Sequence, residues 1–169
     1  DGDEYNYSPC IDDTEIRIND IHPMITCIES SSIEVKYRLE YQIQVPEKVV
    51  DHHRVQALKP LKICSDVSLK ANSQTIDFVT KINNHSCDHI VRVCFEDIYK
   101  AAENCSQDQF GTIIRQNIIK NQKSLKDGAT EYVLPIYAMQ RFVKLDHQKS
   151  IMAVYFKGPY VTTLPNNLL

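Results

Sequence analysis

The chain has 169 residues, of which 43% are hydrophobic, and a chain of this size and composition can bury the core of a single domain. Its 19 Lys and Arg residues against 22 Asp and Glu residues give a formal charge of -3, which makes nucleic acid and anionic membranes poor candidates as partners. No run approaches the ~18 apolar residues that a membrane-spanning helix needs, so we expect no membrane insertion by this chain. The start at Asp1 rather than Met is expected for a mature chain after signal removal or for an excised domain.

The first third of the chain predicts strands around one long member. Residues 1–13 are polar and acidic, which predicts an N-terminal arm anchored by Cys10. Residues 24–28 predict a short strand. Residues 33–45 alternate apolar and polar side chains, which is typical of a long strand with one dry face. The polar side of that strand mixes charges as a solvated sheet does, so we expect the binding surface elsewhere.

One late helix is predicted from about 107 to 126. Ser106 and Gln109 have the spacing of a capping box, in which the side chains at the first and fourth positions close the helix start. The apolar residues that follow at helical spacing are Phe110, Ile113, Ile114 and Ile118. Gly128 lies where a helix end belongs. A shorter helical segment is predicted just before, at 96–104.

Five further segments predict strands because they are rich in β-branched and aromatic residues. They lie at 61–71, 75–82, 89–95, 131–143 and 150–163. The architecture we predict is therefore α+β and predominantly β, with an antiparallel sheet or a two-sheet sandwich, the late helix, and a single domain that spans 1–169. An all-β Ig-like sandwich is the alternative, and the lack of any Trp weakens it.

Cysteine usage indicates the compartment. The chain has an even number of cysteines, namely Cys10, Cys27, Cys64, Cys87, Cys94 and Cys105. Their spacing contains no C-x2-C pair, which disfavours a structural zinc site and favours a disulfide-stabilised framework over ordinary buried thiols. Sequence alone does not select a pairing among them.

The glycosylation acceptor pattern N-x-[ST] occurs three times in the chain, at Asn6, Asn84 and Asn104. This is a small excess over the number of matches expected by chance. Because acceptors of this kind and disulfides both belong to an oxidising compartment, we predict a secreted protein or one on the extracellular or lumenal side of a membrane.

Candidate catalytic and metal-binding groups are few. His85, Cys87 and His89 would project to one side of an extended chain, as a metal site requires, but no fourth ligand is evident and Cys87 is expected in a disulfide. His52 and His53 could supply a general base, but adjacent residues on a strand point apart. The four glycines are too few for a phosphate-binding loop. We therefore predict no catalytic residue, no metal and no cofactor.

Tyrosine is the remaining compositional signal, with nine Tyr residues against no Trp. Tyrosine combines a large contact area with a polar tip and is enriched in recognition surfaces. Those in strands are expected to pack the sheet. The binding-surface candidates are the tyrosines in less regular places, namely Tyr5, Tyr7, Tyr99 and Tyr160.

The function predicted from these features is a secreted or ectodomain module that binds another extracellular protein without catalysis. A composition rich in Ile and Asn suits a pathogen-encoded host-interaction or decoy protein as well as a host receptor domain. Two alternatives remain open. One is a secreted hydrolase that pairs a His with a carboxylate, and the other is a carrier of a small apolar ligand inside the sandwich.

Overall fold

A computed structural model describes residues 10–95, 101–116, 136–147, 150–156 and 160–163. Within these ranges the regular structure is antiparallel β apart from one short 3-10 turn at Ile18–Asp20, so the prediction of a predominantly β, antiparallel fold is confirmed. No helix in these ranges is long and apolar enough to cross a bilayer. The chain divides into two compact units, Asp1–Arg92 and Val93–Leu169. The single domain and the two-sheet sandwich stay predictions.

The first unit is built on a four-stranded antiparallel sheet. The unit has six strands in the described ranges, which in chain order are β1 (Met24–Ser30), β2 (Glu34–Pro46), β3 (Val49–Val50), β4 (His53–Arg54), β5 (Leu58–Lys70) and β6 (Ile76–Asn83). The sheet order is β1-β2-β5-β6, and β3 and β4 form a small hairpin of their own. The thirteen-residue strands β2 and β5 pair along their whole length, from Glu34 opposite Lys70 to Pro46 opposite Leu58.

The register of this sheet sorts its residues onto two faces, because residues directly opposite each other project to the same side. We call one side the apolar face. Its members are Ile25, Cys27, Ser30, Val35, Tyr37, Leu39, Tyr41, Ile43, Val45, Lys59, Leu61, Ile63, Ser65, Val67, Leu69, Ile76, Phe78, Thr80 and Ile82, of which Lys59 is the one charged residue. The other side, the charged face, carries the alternating polar residues of β2. The predicted apolar and polar sides of the long strand are thus confirmed, but the expected dry face holds only in part, since Ile43 and Val45 are buried while Tyr37 is 45% exposed.

The core of the first unit lies at one end of the apolar face. The buried side chains there are Ile43, Val45, Leu61 and Ile63. Ile18 of the 3-10 turn, Ile21 and Tyr41 pack against them. The prediction of strands at 24–28, 61–71 and 75–82 is confirmed by β1, β5 and β6, with boundaries shifted by a few residues.

The predicted strand at 89–95 is wrong, because these residues form no ladder. Single hydrogen bonds hold the residues at and just before its start. The Cys87 N–H donates to the Glu47 carbonyl oxygen at 2.8 Å, and His89 Nδ1 lies 3.2 Å from the Cys87 carbonyl oxygen. Asp88 has a φ of 58°, a left-handed conformation that interrupts an extended chain. β-branched content predicts a strand only where a neighbouring edge accepts it.

The second unit contains a second four-stranded antiparallel sheet. The described strands of this unit are β7 (Glu103–Asp108), β8 (Gly111–Gln116), β9 (Ile136–Met139), β10 (Phe142–His147), β11 (Ser150–Tyr155) and β12 (Tyr160–Thr163). The order in the large sheet is β11-β10-β7-β8, and β12 pairs with β9 separately. Among the residues of this unit whose burial is described, Ala101, Asn104, Ser106 and Met139 are buried. The predicted strands at 131–143 and 150–163 are confirmed where the structure describes them, each as two shorter strands.

The predicted helix from about 107 to 126 is wrong over residues 107–116, which form the end of β7, a turn and β8. Asp108 and Gly111 stand at the first and fourth positions of the turn, a pattern typical of β-turns. The Asp108 carboxylate accepts a hydrogen bond from the Gln109 N–H at 2.8 Å. Ser106 caps no helix; it is buried and accepts a hydrogen bond from Arg115. Residues 117–126 lie outside the described ranges, as do 96–100 of the shorter predicted helix, whose last two residues belong to β7.

Candidate functional site

The tyrosines predicted to form the binding surface fall almost entirely outside the described ranges. Tyr5, Tyr7 and Tyr99 lie outside them. The backbone of Tyr160 begins β12 and pairs with Met139. These four residues therefore stay predictions, and a candidate surface has to be sought among the residues that the structure describes.

The glycosylation candidates differ in their surroundings. Asn84 is exposed, and its side-chain oxygen accepts a hydrogen bond from the Ser86 N–H at 3.0 Å. Asn104 lies within β7 and is only 5% exposed. Asn6 is outside the described ranges. Of the two described candidates, Asn84 is the better placed to carry a glycan, and glycosylation at all three stays a prediction.

All six cysteines are free thiols in this structure. Cys27 lies on the apolar face of the first sheet, whereas Cys64, opposite Glu40, lies on the charged face. A disulfide between these two would have to cross the sheet, which the geometry of the bond does not allow. Partial burial raises the pKa of the Cys10 thiol, which keeps it protonated near neutral pH and makes it a poor nucleophile.

The predicted metal-binding candidates are not brought together. In the described ranges no group of three or more His, Cys, Asp or Glu side chains could hold a metal ion. The left-handed Asp88 breaks the extended conformation that would have placed His85, Cys87 and His89 on one side. The three side chains were expected on one side because side chains alternate along a strand, and this segment is not a strand.

Arg54 ties together three segments that are far apart in the sequence. Its Nε and Nη2 atoms donate to one carboxylate oxygen of Asp13 at 3.2 and 3.0 Å, and its Nη1 atom donates to the Asp88 carbonyl oxygen. Its backbone N–H donates to the Asp12 carboxylate at 3.0 Å. The Arg54 and Asp13 side chains are only 12% and 16% exposed. The described end of the predicted N-terminal arm is thus held by charge-assisted hydrogen bonds.

The two histidines beside Arg54 belong to the same connection. Asp51 and His52 take left-handed conformations in the β3–β4 turn, and the His52 carbonyl oxygen accepts a hydrogen bond from the Ile11 N–H at 3.1 Å. His53 Nδ1 lies 3.7 Å from an Asp12 carboxylate oxygen, beyond hydrogen-bond reach for a general base and its orienting group. The Arg54 N–H, more than any other group, holds the pKa of Asp12 below its usual range. The arrangement is a structural connection.

An open depression lies near the ends of β1 and β6. Its volume is about 510 Å³, and the lining residues are Met24, Glu40, Tyr41, Gln42, Lys62, Ile63, Cys64, Lys81, Ile82 and Asn83. Ligand pockets of this size are usually concave and mainly apolar. Here the register places Glu40, Cys64 and Lys81 side by side on the charged face, so charged groups form part of the wall of this open depression.

The second unit presents an exposed aromatic group at one end of its sheet. Phe110, in the two-residue turn between β7 and β8, is 100% exposed. Tyr155 is 68% exposed and lies opposite Phe142, with 6.0 Å between the two ring centroids. Val143 pairs with Ser106, which places Phe142 level with the end of β7 where the turn begins. We call Phe110, Phe142 and Tyr155 the aromatic end.

The aromatic end belongs to the outer side of the second sheet. Lys144 pairs with Cys105, and Cys105 with Ile114, so Phe142, Lys144 and Ile114 share a side. Ile114 is 67% exposed. The Lys144 ammonium donates to Asp146 at 2.8 Å, which raises the pKa of Lys144 and keeps it charged. This side therefore combines exposed apolar groups with one ion pair.

The opposite side of the second sheet faces the interior of its unit. Ser106 is only 1% exposed and accepts a hydrogen bond from Arg115, whose guanidinium carbon lies 4.8 Å from the centre of the Tyr137 ring. Such a cation–π contact links β8 to β9. Sequence reasoning missed the aromatic end because it assigned Phe110 to a helix and Tyr155 to sheet packing. The Asp108 to Gly111 spacing is the signal that could have located the turn.

The aromatic end is the best candidate functional site among the described residues, because it exposes the rings of Phe110 and Tyr155 to solvent. By contrast, the hydrogen bonds of Arg54 with Asp12 and Asp13 connect segments of the fold. Comparison with protein-family models, with curated proteins and with solved structures returns no match for this chain. The residues of the chain itself therefore carry the functional inference.

Proposed function

We propose that the protein is a secreted or ectodomain module that binds another extracellular protein and acts by recognition without catalysis. The observation that carries the proposal is the exposure of the aromatic end, above all the full exposure of Phe110. Turns of two residues are usually built from Gly, Asn, Asp and other polar residues. An exposed Phe at this position contributes nothing to the fold, and burying it in a partner would contribute about 2 kcal/mol.

The shape and charge of the aromatic end favour a pocket on a protein over a lipid surface. A single ring at the tip of a tight turn is convex, so the complementary surface is a concave apolar pocket, which aromatic anchors typically fill. Among the described residues on the strands and turns of this sheet, Glu103, Asp108 and Asp146 balance the charges of Arg115, Arg141 and Lys144. Attraction to anionic lipids needs a net positive charge around the apolar group, and this balance does not supply one.

The proposal includes an oxidising compartment, a disulfide framework and glycosylation. Its support is the even number of cysteines and the three acceptor asparagines, of which Asn84 is exposed. A count of free thiols in the denatured, unreduced protein tests the disulfides. Six free thiols would contradict this part of the proposal and leave the aromatic end as an intracellular recognition surface.

The binding proposal is tested by presenting the oxidised, glycosylated protein to an array of purified extracellular proteins. We expect at least one specific partner. Phe110→Ala should weaken that complex at least roughly tenfold, because an anchor residue loses its pocket contacts. Gln109→Ala, in the same turn, is the matched control and should bind as the wild type does. If Phe110→Ala and Tyr155→Ala both bound such a partner with the affinity of the wild type, the role of the aromatic end would be contradicted.

A further inference from the structure

We propose that the open depression on the charged face of the first sheet binds a small sugar that carries a carboxylate or sulfate group, and that Lys62 and Lys81 hold that negative group. The residues that line the depression all belong to the first unit. The site is therefore independent of the aromatic end, which belongs to the second unit. The proposal starts from the way in which the sheet register arranges side chains around the depression.

Two neighbouring rows of polar side chains form the walls of the depression. Each row consists of residues that lie opposite one another on β2, β5 and β6; the first row is Gln42, Lys62 and Asn83, and the second is Glu40, Cys64 and Lys81. Tyr41, Ile63 and Ile82 also line the depression, and because their side chains belong to the apolar face, strand backbone forms its floor. The volume of about 510 Å³ lies within the range of small-ligand pockets.

Lys62 and Lys81 differ from the other cations of the first sheet. Every other Lys or Arg on its four strands pairs with a carboxylate; the pairs are Lys36 with Glu34 at 3.8 Å, Arg38 with Asp66 at 2.7 Å, Lys59 with Glu47 at 3.4 Å and Lys70 with Asp77 at 3.5 Å. Lys62 and Lys81 form no ion pair with any residue that the structure describes. The two cations without a counter-ion are thus the two that line the depression.

One anionic group can contact both lysines. Lys62 lies opposite Asn83, two residues along β6 from Lys81, so the two lysines are diagonal neighbours on one face, with their Cβ atoms roughly 7 Å apart. Each side chain is a flexible four-carbon stem that ends in three N–H donors. Among the described lining residues Glu40 is the one carboxylate, so the two ammonium groups outnumber it. Charge-assisted hydrogen bonds from both ammonium groups would stabilise a bound carboxylate or sulfate.

This part of the charged face is hydrated. Glu40, Lys62 and Lys81 are exposed. A layer of protein packed over the depression would have to supply a carboxylate to each lysine, because burying an ammonium group without a partner is strongly unfavourable. Within the described part of the chain neither lysine has such a partner. The depression is therefore open to a ligand from solution.

The remaining groups of the walls suit a sugar better than a lipid or an inorganic ion. The amides of Gln42 and Asn83 both donate and accept hydrogen bonds, and the Glu40 carboxylate accepts them. Sugar hydroxyls need partners of both kinds. Met24, which pairs with Glu40, is the one large apolar side chain that the described lining presents on this face. A fatty-acid tail would therefore find little apolar surface there.

The test is a nuclear magnetic resonance titration of the isotope-labelled whole chain with glucuronic acid and with sulfated glucose. We expect at least one of them to bind with a Kd of about 1 mM, as befits a ligand with so few atoms, and to shift the amide signals of Lys62, Cys64 and Lys81. Salt should weaken the binding, since exposed charges are screened. No binding of either sugar at roughly 50 mM would overturn the proposal.

Two further probes identify the part of the ligand that is recognised. Glucose, which lacks the negative group, should bind at least roughly tenfold more weakly than the acidic sugar. Inorganic sulfate should also bind more weakly, because it offers no hydroxyls to the amides of Gln42 and Asn83. Inorganic sulfate that binds as tightly as the acidic sugar would show an anion site without sugar recognition, and this result would overturn the proposal.

Lysine variants test the location of the site. Lys62→Gln and Lys81→Gln should each raise the Kd at least roughly fivefold, because each loses a charge-assisted hydrogen bond. Lys48→Gln is the matched control, since it removes the same charge from an exposed lysine beside β3 and outside the depression, and it should change the Kd by less than about twofold. Circular dichroism checks that each variant is folded. Unchanged binding by both depression variants would place the ligand elsewhere and overturn the proposal.

Discussion

The two ends of the apolar face in the first unit have the same strands and the same kinds of side chain, yet one is buried and the other is open. Leu61 and Leu69 lie on the same side of β5, and they are 5% and 48% exposed. The difference comes from what lies above them. Ile18 and Ile21 pack over the first end. Alternation of side chains therefore defines which side of a sheet is apolar, while burial depends on a covering segment that the strand itself does not contain.

The largest effect is expected when Leu61 and Leu69 are each replaced by alanine and the free energy of unfolding is measured. Leu61→Ala should lower the free energy of unfolding by about 2–4 kcal/mol, because it leaves a cavity in the buried end. Leu69→Ala should lower it by less than about 1 kcal/mol, because Leu69 is 48% exposed and keeps much of its contact with water in the folded chain. Urea denaturation at low protein concentration measures both.

The two leucine variants control for each other, since residue type, strand and side are the same. Equal losses of stability would show that the open end is covered in solution.

The next effect concerns the connection that holds the covering segment over the buried end. Arg54→Ala should lower the free energy of unfolding by about 2 kcal/mol, because Asp13 loses charge-assisted hydrogen bonds in a largely buried place. Hydrogen exchange should also speed up at Ile18 and Ile21, which follow the tied residues in the chain. Arg17→Ala, whose ion pair with Glu15 is 68% and 69% exposed, is the control. It should change stability by less than about 0.5 kcal/mol.

The smallest effect is a pH dependence on the charged face, behind the open end. The guanidinium of Arg38 donates to both carboxylate oxygens of Asp66, at 2.7 and 2.9 Å, and this holds the pKa of Asp66 below its usual range. A carboxyl whose pKa is depressed on folding contributes stability above its unfolded pKa, near 4, and that stability is lost as the pH falls through the folded pKa.

The variant Asp66→Asn should therefore be less stable than the wild type at neutral pH, and the difference should disappear as the solution is acidified below about pH 4. Urea midpoints between about pH 2 and pH 7 measure it. Asp77→Asn, which removes an exposed pair with Lys70 at 3.5 Å, is the control. A difference between wild type and Asp66→Asn that persists at the acid end would show that the pair acts through packing and not through charge.

Much of the first sheet could be predicted because its signals are local and long. Residues 33–45 alternate over their whole length, and the structure places β2 within one residue of that range. Slipping the register by one residue would bury Lys36 and Arg38, so the pattern leaves little choice. The edge strands β1 and β6 were predictable for the same reason, although their exposure was not.

The second unit was harder because its elements are short. Residues 107–116 contain apolar residues at spacings that fit both a helix turn and a hairpin, and only pairing with β10 decides between them. Phe110 was therefore assigned to a helical face when it lies at the tip of a turn. The candidate site could not be predicted from sequence, because Phe142 meets Tyr155 only through cross-strand register, and the exposure of Phe110 depends on the turn between β7 and β8.

Sequence by itself determined that the protein is predominantly β, which residues of the long strand share a side, and that acidic and basic groups are balanced. These are properties of neighbouring residues, and they hold in any fold that keeps the strand. Tertiary structure alone decided that Ile18 and Ile21 cover one end of the apolar face, which carboxylates meet Arg54, and that Phe142 meets Tyr155. Each of these depends on segments that are distant in the chain, and the pairing of distant segments is set by register and packing rather than by local pattern.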